Sequence, residues 1–248
     1  IVVPETFDGK RVTQIRAGKN MGAYGVFAGK DITSVTMPSI ELIGEYTFNK
    51  CGNLKTVYMP KVKSLGSFAF AESGIINADA PLLTGISSYG FSNCLNLTSV
   101  NMPELNLISR YGFYGCKNLK EFFSSKKITT LTYGALSNTG LTSIRLYGNV
   151  DIGEQAVGYY KDENGNSIPI AGFKVYGEKG TTVEEYAKSN GLEFAELSSL
   201  PMTCEHQWEE ITELATCTKE GLTYKRCKIC GEKEVGSEKI LSKTEHKT

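Results

Sequence analysis

The chain repeats itself about every 22 residues. One apolar column reads Val26, Phe48, Phe70, Phe91, Phe113, Ala135 and Val157, with steps of 22, 22, 21, 22, 22 and 22. Two residues earlier stand Tyr24, Tyr46, Phe68, Tyr89, Tyr111 and Tyr133. Another column holds Met21, Ile43, Leu65, Ile86, Ile108 and Ile152. A fixed period in the twenties predicts a solenoid, because each unit can bury its apolar face only by stacking on the next. Such a chain works through a long surface rather than through a pocket of reacting groups.

Each unit carries two signals. Leu54 to Pro60 reads apolar, x, x, apolar, x, apolar, proline. The alternation predicts a short strand, and proline, which cannot donate to a ladder, ends it. Four of the seven prolines (Pro38, Pro60, Pro81 and Pro103) hold that place. Ile43 to Phe48 spaces its apolar residues three to five apart, which predicts a helical or 3₁₀ turn on the opposite wall. Stacked strands then make one parallel sheet on one side of the coil. Its outward positions change from unit to unit, and they supply the candidate partner-binding residues Thr36, Tyr58, Asp79, Asn101, Phe123 and Arg145. A solvated face varies in the same way. Tyr58 and Phe123 stand out, since exposed aromatics at strand centres suit contact anchors.

The cysteines fall into two groups. Cys51, Cys94 and Cys116 share one repeat column of small residues and are expected as buried free thiols. Asn53, Asn96 and Asn118, two residues on, are expected to hydrogen-bond the turn backbone. The tail instead carries Cys204, His206 and Cys217, then Cys227-Lys228-Ile229-Cys230-Gly231. A Cys-x-x-Cys knuckle turns two sulfurs toward one point, and a tetrahedral Cys/His set is what structural zinc prefers. The candidate ligands are His206, Cys217, Cys227 and Cys230, with Cys204 able to replace His206. Fewer than 50 residues need a staple in place of a large core. Disulfides are the rival staple in an oxidising compartment.

Between these parts, Lys161 to Ser167 reads as a polar surface loop. It offers acids and amides but lacks the closing glutamate of a calcium loop. Gly172 to Gly177 reads as a strand, Val183 to Gly191 as a helix capped by Thr181 or Thr182, and Leu192 to Leu197 as a second strand. This strand–helix–strand stretch would cover the last open rung.

Composition narrows the function. Lys+Arg and Asp+Glu are 27 each. Residues 201–248 hold 8 basic against 9 acidic residues, a poor footprint for phosphate. No run of 18 apolar residues exists to span a membrane. The two histidines, His206 and His246, both lie in the tail, so the repeats cannot build a Ser-His-Asp or Cys-His arrangement. The chain opens on Ile1 within a partial repeat and reads as a piece of a longer precursor.

The motif L-x-x-V-x-M-P … I-G-x-Y-x-F-x-x-C-x-N-L, as in Leu54 to Phe70 and Ile43 to Leu54, resembles the BspA-type leucine-rich repeats of bacterial surface proteins. The resemblance covers about residues 10–157. The third unit is one residue short at Ser73-Gly74-Ile75, and the sixth carries Ala135 where phenylalanine belongs. It implies a secreted or cell-surface protein of a gut, oral or parasitic microbe, with an adhesion role. The strand–helix–strand stretch resembles the end that follows such repeats in clostridial surface proteins. The tail pattern from His206-x-Trp208 to Cys230-Gly231 is similar to a small zinc-ribbon-like module of gut Firmicutes surface proteins. The expectation is an α/β repeat: a leucine-rich-repeat solenoid with a strand–helix–strand C-terminal cap over 1–197, then a small β-rich zinc-ribbon-like module over 198–248. Function is expected to be non-enzymatic binding of an extracellular protein or glycan by a monomer. The alternative is a structural spacer displaying a catalytic or anchoring domain of a longer extracellular protein.

Overall fold

The computed structural model describes residues 1–16, 25–122, 125–199, 208–213, 220–227 and 237–242. The chain forms two compact units, Ile1–Leu197 and Ser198–Thr248.

The first unit is a coil of short parallel strands, and its most continuous wall is not the one the prolines mark. Seven two-residue strands (Gln14–Ile15, Leu42–Ile43, Ser64–Leu65, Gly85–Ile86, Leu107–Ile108, Thr130–Leu131 and Asp151–Ile152) form one parallel sheet. The second residue of the middle five is buried. The strands that precede the prolines form a broken wall instead. Ser34–Thr36 pairs Thr56–Tyr58, Asn77–Asp79 pairs Ser99–Asn101, and Ser143–Arg145 pairs Lys174–Gly177. The ladder stops between Tyr58 and Asn77, where the unit is one residue short, and residues 120–122 form no strand.

The stretch predicted as a helical turn is not helical. Five rungs there carry two left-handed residues four apart, and the rungs at either end carry one of the two. The first column is Tyr46, Phe68, Tyr89, Tyr111, Gly134 and Gln155, with φ from 53° to 63°. The second is Gly29, Lys50, Glu72, Asn93, Gly115 and Asn138, with φ from 55° to 76°. Left-handed backbone at a bulky residue costs about 1–3 kcal/mol and persists only where the surroundings enforce it. The alternation turns every second N–H toward the next rung. Tyr46, Phe48 and Lys50 donate to the carbonyls of Ser67, Ala69 and Ala71 at 2.9, 2.7 and 2.8 Å. Phe68, Phe70 and Glu72 donate to Ser88, Gly90 and Ser92 at 3.0, 2.8 and 2.8 Å. A helical turn would satisfy these groups within its own rung, so the repeat units carry no helix among the described residues.

The same bonds reset the register. Phe27 donates to Thr47 O as Phe48 does to Ala69 O, and Leu136 donates to Ala156 O. The buried column is therefore Phe27, Phe48, Phe70, Phe91, Phe113, Leu136 and Val157, not one through Val26 and Ala135. The rings stack from Phe27 to Phe113 with centroids 5.1–5.4 Å apart. The sixth unit gains one residue between Phe122 and Ser125, since Ile128 N–H bonds Ser125 O as Leu105 N–H bonds Met102 O one rung earlier, and it loses one at Thr139-Gly140-Leu141. Both short turns close on glycine: a Cβ at Gly74 would lie 2.0 Å from Gly52 O, and one at Gly140 2.3 Å from Lys117 O.

After the last rung, Tyr159–Lys161 and Ser167–Pro169 form an antiparallel hairpin. The predicted polar loop is its tip. Asp162 Oδ1 accepts the Asn164 and Asn166 N–H groups at 2.9 and 2.7 Å, and Oδ2 accepts Asn166 Nδ2 at 3.0 Å. These bonds, led by Asn166, hold the carboxyl below its ordinary range. Strand Lys174–Gly177, helix α1 (Thr182–Ser189) and strand Glu193–Glu196 follow. Thr181 and Thr182 do not cap α1 with their hydroxyls. Thr181 Oγ1 donates back to Glu178 O, while Glu184 Oε2 accepts the Gly180 N–H at 2.7 Å. At the other end, Gly191 N–H bonds Lys188 O and Leu192 N–H bonds Ala187 O, a Schellman closure.

In the second unit, Trp208–Glu213, Gly221–Cys227 and Lys239–Leu241 form an antiparallel three-stranded sheet in that order.

Candidate functional site: the outer-strand column

The parallel register places five of the predicted contact residues in three strand pairs. Thr36 lies opposite Tyr58, Asp79 opposite Asn101, and Arg145 opposite Tyr176. Val35, Val57, Ala78, Val100 and Ile144 beside them point into the core, so period-two alternation sends their neighbours outward. All six are half-buried. Asn101 Nδ2 donates to Asp79 Oδ1 at 2.7 Å. In the parallel outward column, Ser99 Oγ donates to Asn77 Oδ1 at 2.7 Å, and Lys174 lies 3.7 Å from Glu193. Phe123 lies outside the described residues. Tyr176 is the addition: its strand reads clearly in the sequence, but it follows Arg145 by 31 residues, so a 22-residue period does not reach it.

The cysteine column is a core feature. Cys51, Cys94 and Cys116 are free and fully buried. Each thiol lies 3.0 Å from a phenylalanine carbonyl of the preceding rung, Phe27, Phe70 and Phe91 respectively. Burial pushes the Cys51 and Cys116 thiols up, which keeps them protonated and unreactive. Two of the asparagines bridge rungs: Asn118 Nδ2 donates to turn backbone as expected, but in the preceding rung, at Leu95 O (2.7 Å), and Asn53 Nδ2 donates to a side chain, Asp31 Oδ1, at 2.8 Å.

In the second unit, Cys227 is buried at the end of its strand, opposite Trp208. His206, Cys217 and Cys230, with Cys204, lie outside the described residues. Among the described residues no three His, Cys, Asp or Glu side chains gather at one point. None of the described helices is long and apolar enough to cross a membrane.

The repeats match the family model "BspA type Leucine rich repeat region" in six copies, over residues 21–82 and 62–162. Together these ranges cover more than half of the chain. The chain belongs to the BspA-type leucine-rich repeat family. Among solved structures, it is similar to a leucine-rich repeat protein from Bacteroides ovatus, with 17% identity and a TM-score of 0.35 over 71% of this chain and 63% of that one. It is also similar to a leucine rich cell surface protein from Faecalibacterium prausnitzii, with 21% identity and a TM-score of 0.42 over 68% of this chain and 53% of that one. The chain thus spans less than two thirds of either. No curated protein gives a match. In this BspA-type repeat chain the outer-strand column changes from rung to rung while its inward neighbours stay apolar and buried.

Proposed function

We propose that this BspA-type repeat chain is a non-enzymatic, secreted or cell-surface binding protein that meets a protein or glycan partner with its outer-strand column. The observation that supports this most is the column's composition. Hydroxyl, phenol, carboxylate, amide and guanidinium groups at Thr36, Tyr58, Asp79, Asn101 and Arg145 hold equivalent places on successive outer strands, each half-buried and paired in register with one neighbour. Sites carried on rigid strands keep their geometry on binding. The cell-surface description of the Faecalibacterium neighbour and the family's usual setting agree with this location.

The test is a triple variant, Tyr58→Ala, Asn101→Ala and Arg145→Ala, compared with wild type on an array of extracellular proteins and glycans. We expect a partner that wild type binds and the variant loses by at least about tenfold, as loss of aromatic and arginine anchors does. A partner bound equally by both would remove the column from the binding reading. The role of rigid spacer would then stand, favoured by the rung-to-rung hydrogen bonds from Phe27 to Val157. The strand–helix–strand segment acts in either role as the cap of the solenoid.

The tail carries a separate proposal. His206, Cys217, Cys227 and Cys230 hold one structural zinc, with Cys204 as the substitute for His206. Cys227 fits the part, being a buried thiol at a strand end. Elemental analysis of the full chain with a denatured thiol titration should give one zinc per chain and all seven cysteines free. No metal and fewer free thiols would replace the zinc with disulfides.

A further inference from the structure

A second surface follows from the register shift in the sixth unit, on the turns after the seven-stranded sheet. Tyr46, Phe68 and Tyr89 stack there as half-buried rings, with centroids 4.8 and 4.5 Å apart and planes within 6°. Their faces cover one another. At Tyr111 the stack ends. The extra residue puts Gly134 in the left-handed position, where a Cβ would lie 2.6 Å from the Tyr111 ring, and moves Tyr133 one place back. Tyr111 tilts 42° from Tyr89 and meets Tyr133 edge-on at 87°, with centroids 5.3 Å apart. Arg110, which is exposed, lies over both rings, 5.3 Å from the Tyr111 centroid and 5.1 Å from that of Tyr133. Tyr114 closes on Tyr111 at 5.0 Å. No carboxylate pairs with Arg110 among the described residues.

We propose that Arg110, clasped by Tyr111 and Tyr133, anchors an acidic segment of a protein partner. The two rings hold the Arg110 guanidinium in place, and a guanidinium's N–H fork is the geometry that receives a carboxylate through two parallel bonds. Tyrosine and arginine together are the residues on which protein interfaces concentrate their energy. A sugar ring is disfavoured as occupant, because it needs a bare aromatic face. Here the faces are taken by neighbouring rings and by Arg110 itself. The surface is distinct from the outer-strand column, so either proposal can fail alone.

The test is a titration of the full chain with an acetylated tetraglutamate peptide, read at the arginine Nε–H resonances, with tetraglutamine as control. The expected result is a saturable shift at Arg110, absent with tetraglutamine. Arg110→Lys keeps the charge and loses the fork, and it should weaken binding about tenfold, read from tyrosine ring resonances. Tyr133→Ala should weaken it while the melting curve shows the chain folded. A lysine variant that binds as well as wild type would overturn the proposal, because charge alone would then suffice. A sialylated oligosaccharide that shifts Arg110 where tetraglutamate does not would overturn it too, and would make the occupant a glycan.

Discussion

Replacing Phe91 with alanine should cost the solenoid about 3–5 kcal/mol, the range for a buried phenylalanine. Phe91 is fully buried, with its ring 5.2 Å from Phe70 and 5.4 Å from Phe113. The variant loses transfer energy, leaves a cavity, and breaks a column of rings at its middle. Repeats touch only their neighbours, so a break there uncouples two halves that each lack enough rungs to stand well alone. Urea unfolding followed by circular dichroism should show a lower midpoint and a broadened or split transition. The same change at Phe27, which is half-buried and stacks on Phe48 at one end of the column, should cost less. A loss under about 1 kcal/mol at Phe91 would mean the ring column is not what couples the rungs.

The second large effect is expected at Tyr186 of α1. Its hydroxyl donates to Val157 O at 2.9 Å and accepts the Val157 N–H at 3.2 Å. Thr182 does the same one turn earlier, accepting the Val150 N–H at 2.9 Å and donating to Val150 O at 2.7 Å. The two hydroxyls stand where the peptide groups of a further rung would be. Burial pushes the Tyr186 phenol well above its ordinary range, so it remains a donor. Tyr186→Phe keeps the ring and strips both bonds, leaving a buried N–H and C=O without partners. At about 1–3 kcal/mol for each orphaned group, the expected loss is about 2–6 kcal/mol. Hydrogen exchange should speed up at the Val157 amide before it does at Phe91. Unchanged exchange there would mean that another group has taken over those bonds.

Much of this was legible in the chain. Phe48, Phe70, Phe91 and Phe113 announce the buried column by their spacing, and the alternation around Val57 and Val100 announces which residues face outward. Counting fails where two apolar residues stand side by side. Val26 and Phe27, or Ala135 and Leu136, are equally apolar candidates, and only the hydrogen bonds to the next rung choose between them. The left-handed turn was hidden for another reason. Tyrosine and phenylalanine carry no sign of positive φ as glycine or asparagine would, and the conformation is imposed by the rung beside them rather than preferred by the residue. The outer-strand column could be read as far as Arg145. Its extension to Tyr176 could not, because the hairpin Tyr159–Pro169 interrupts the count.

The three rung lengths found here, 21, 22 and 23 residues, occur without any loss of alignment in the core. Alignment is kept by the peptide groups that meet between rungs, so spare or missing residues are absorbed where the chain rounds a corner. One residue fewer at Ser73-Gly74, or one more between Phe122 and Ser125, therefore changes what the molecule shows within its own rung and leaves the rest of the core column as it was. A protein built this way can rewrite its surface one word at a time, and the Arg110–Tyr133 cluster lies within the rung whose count differs from its neighbours.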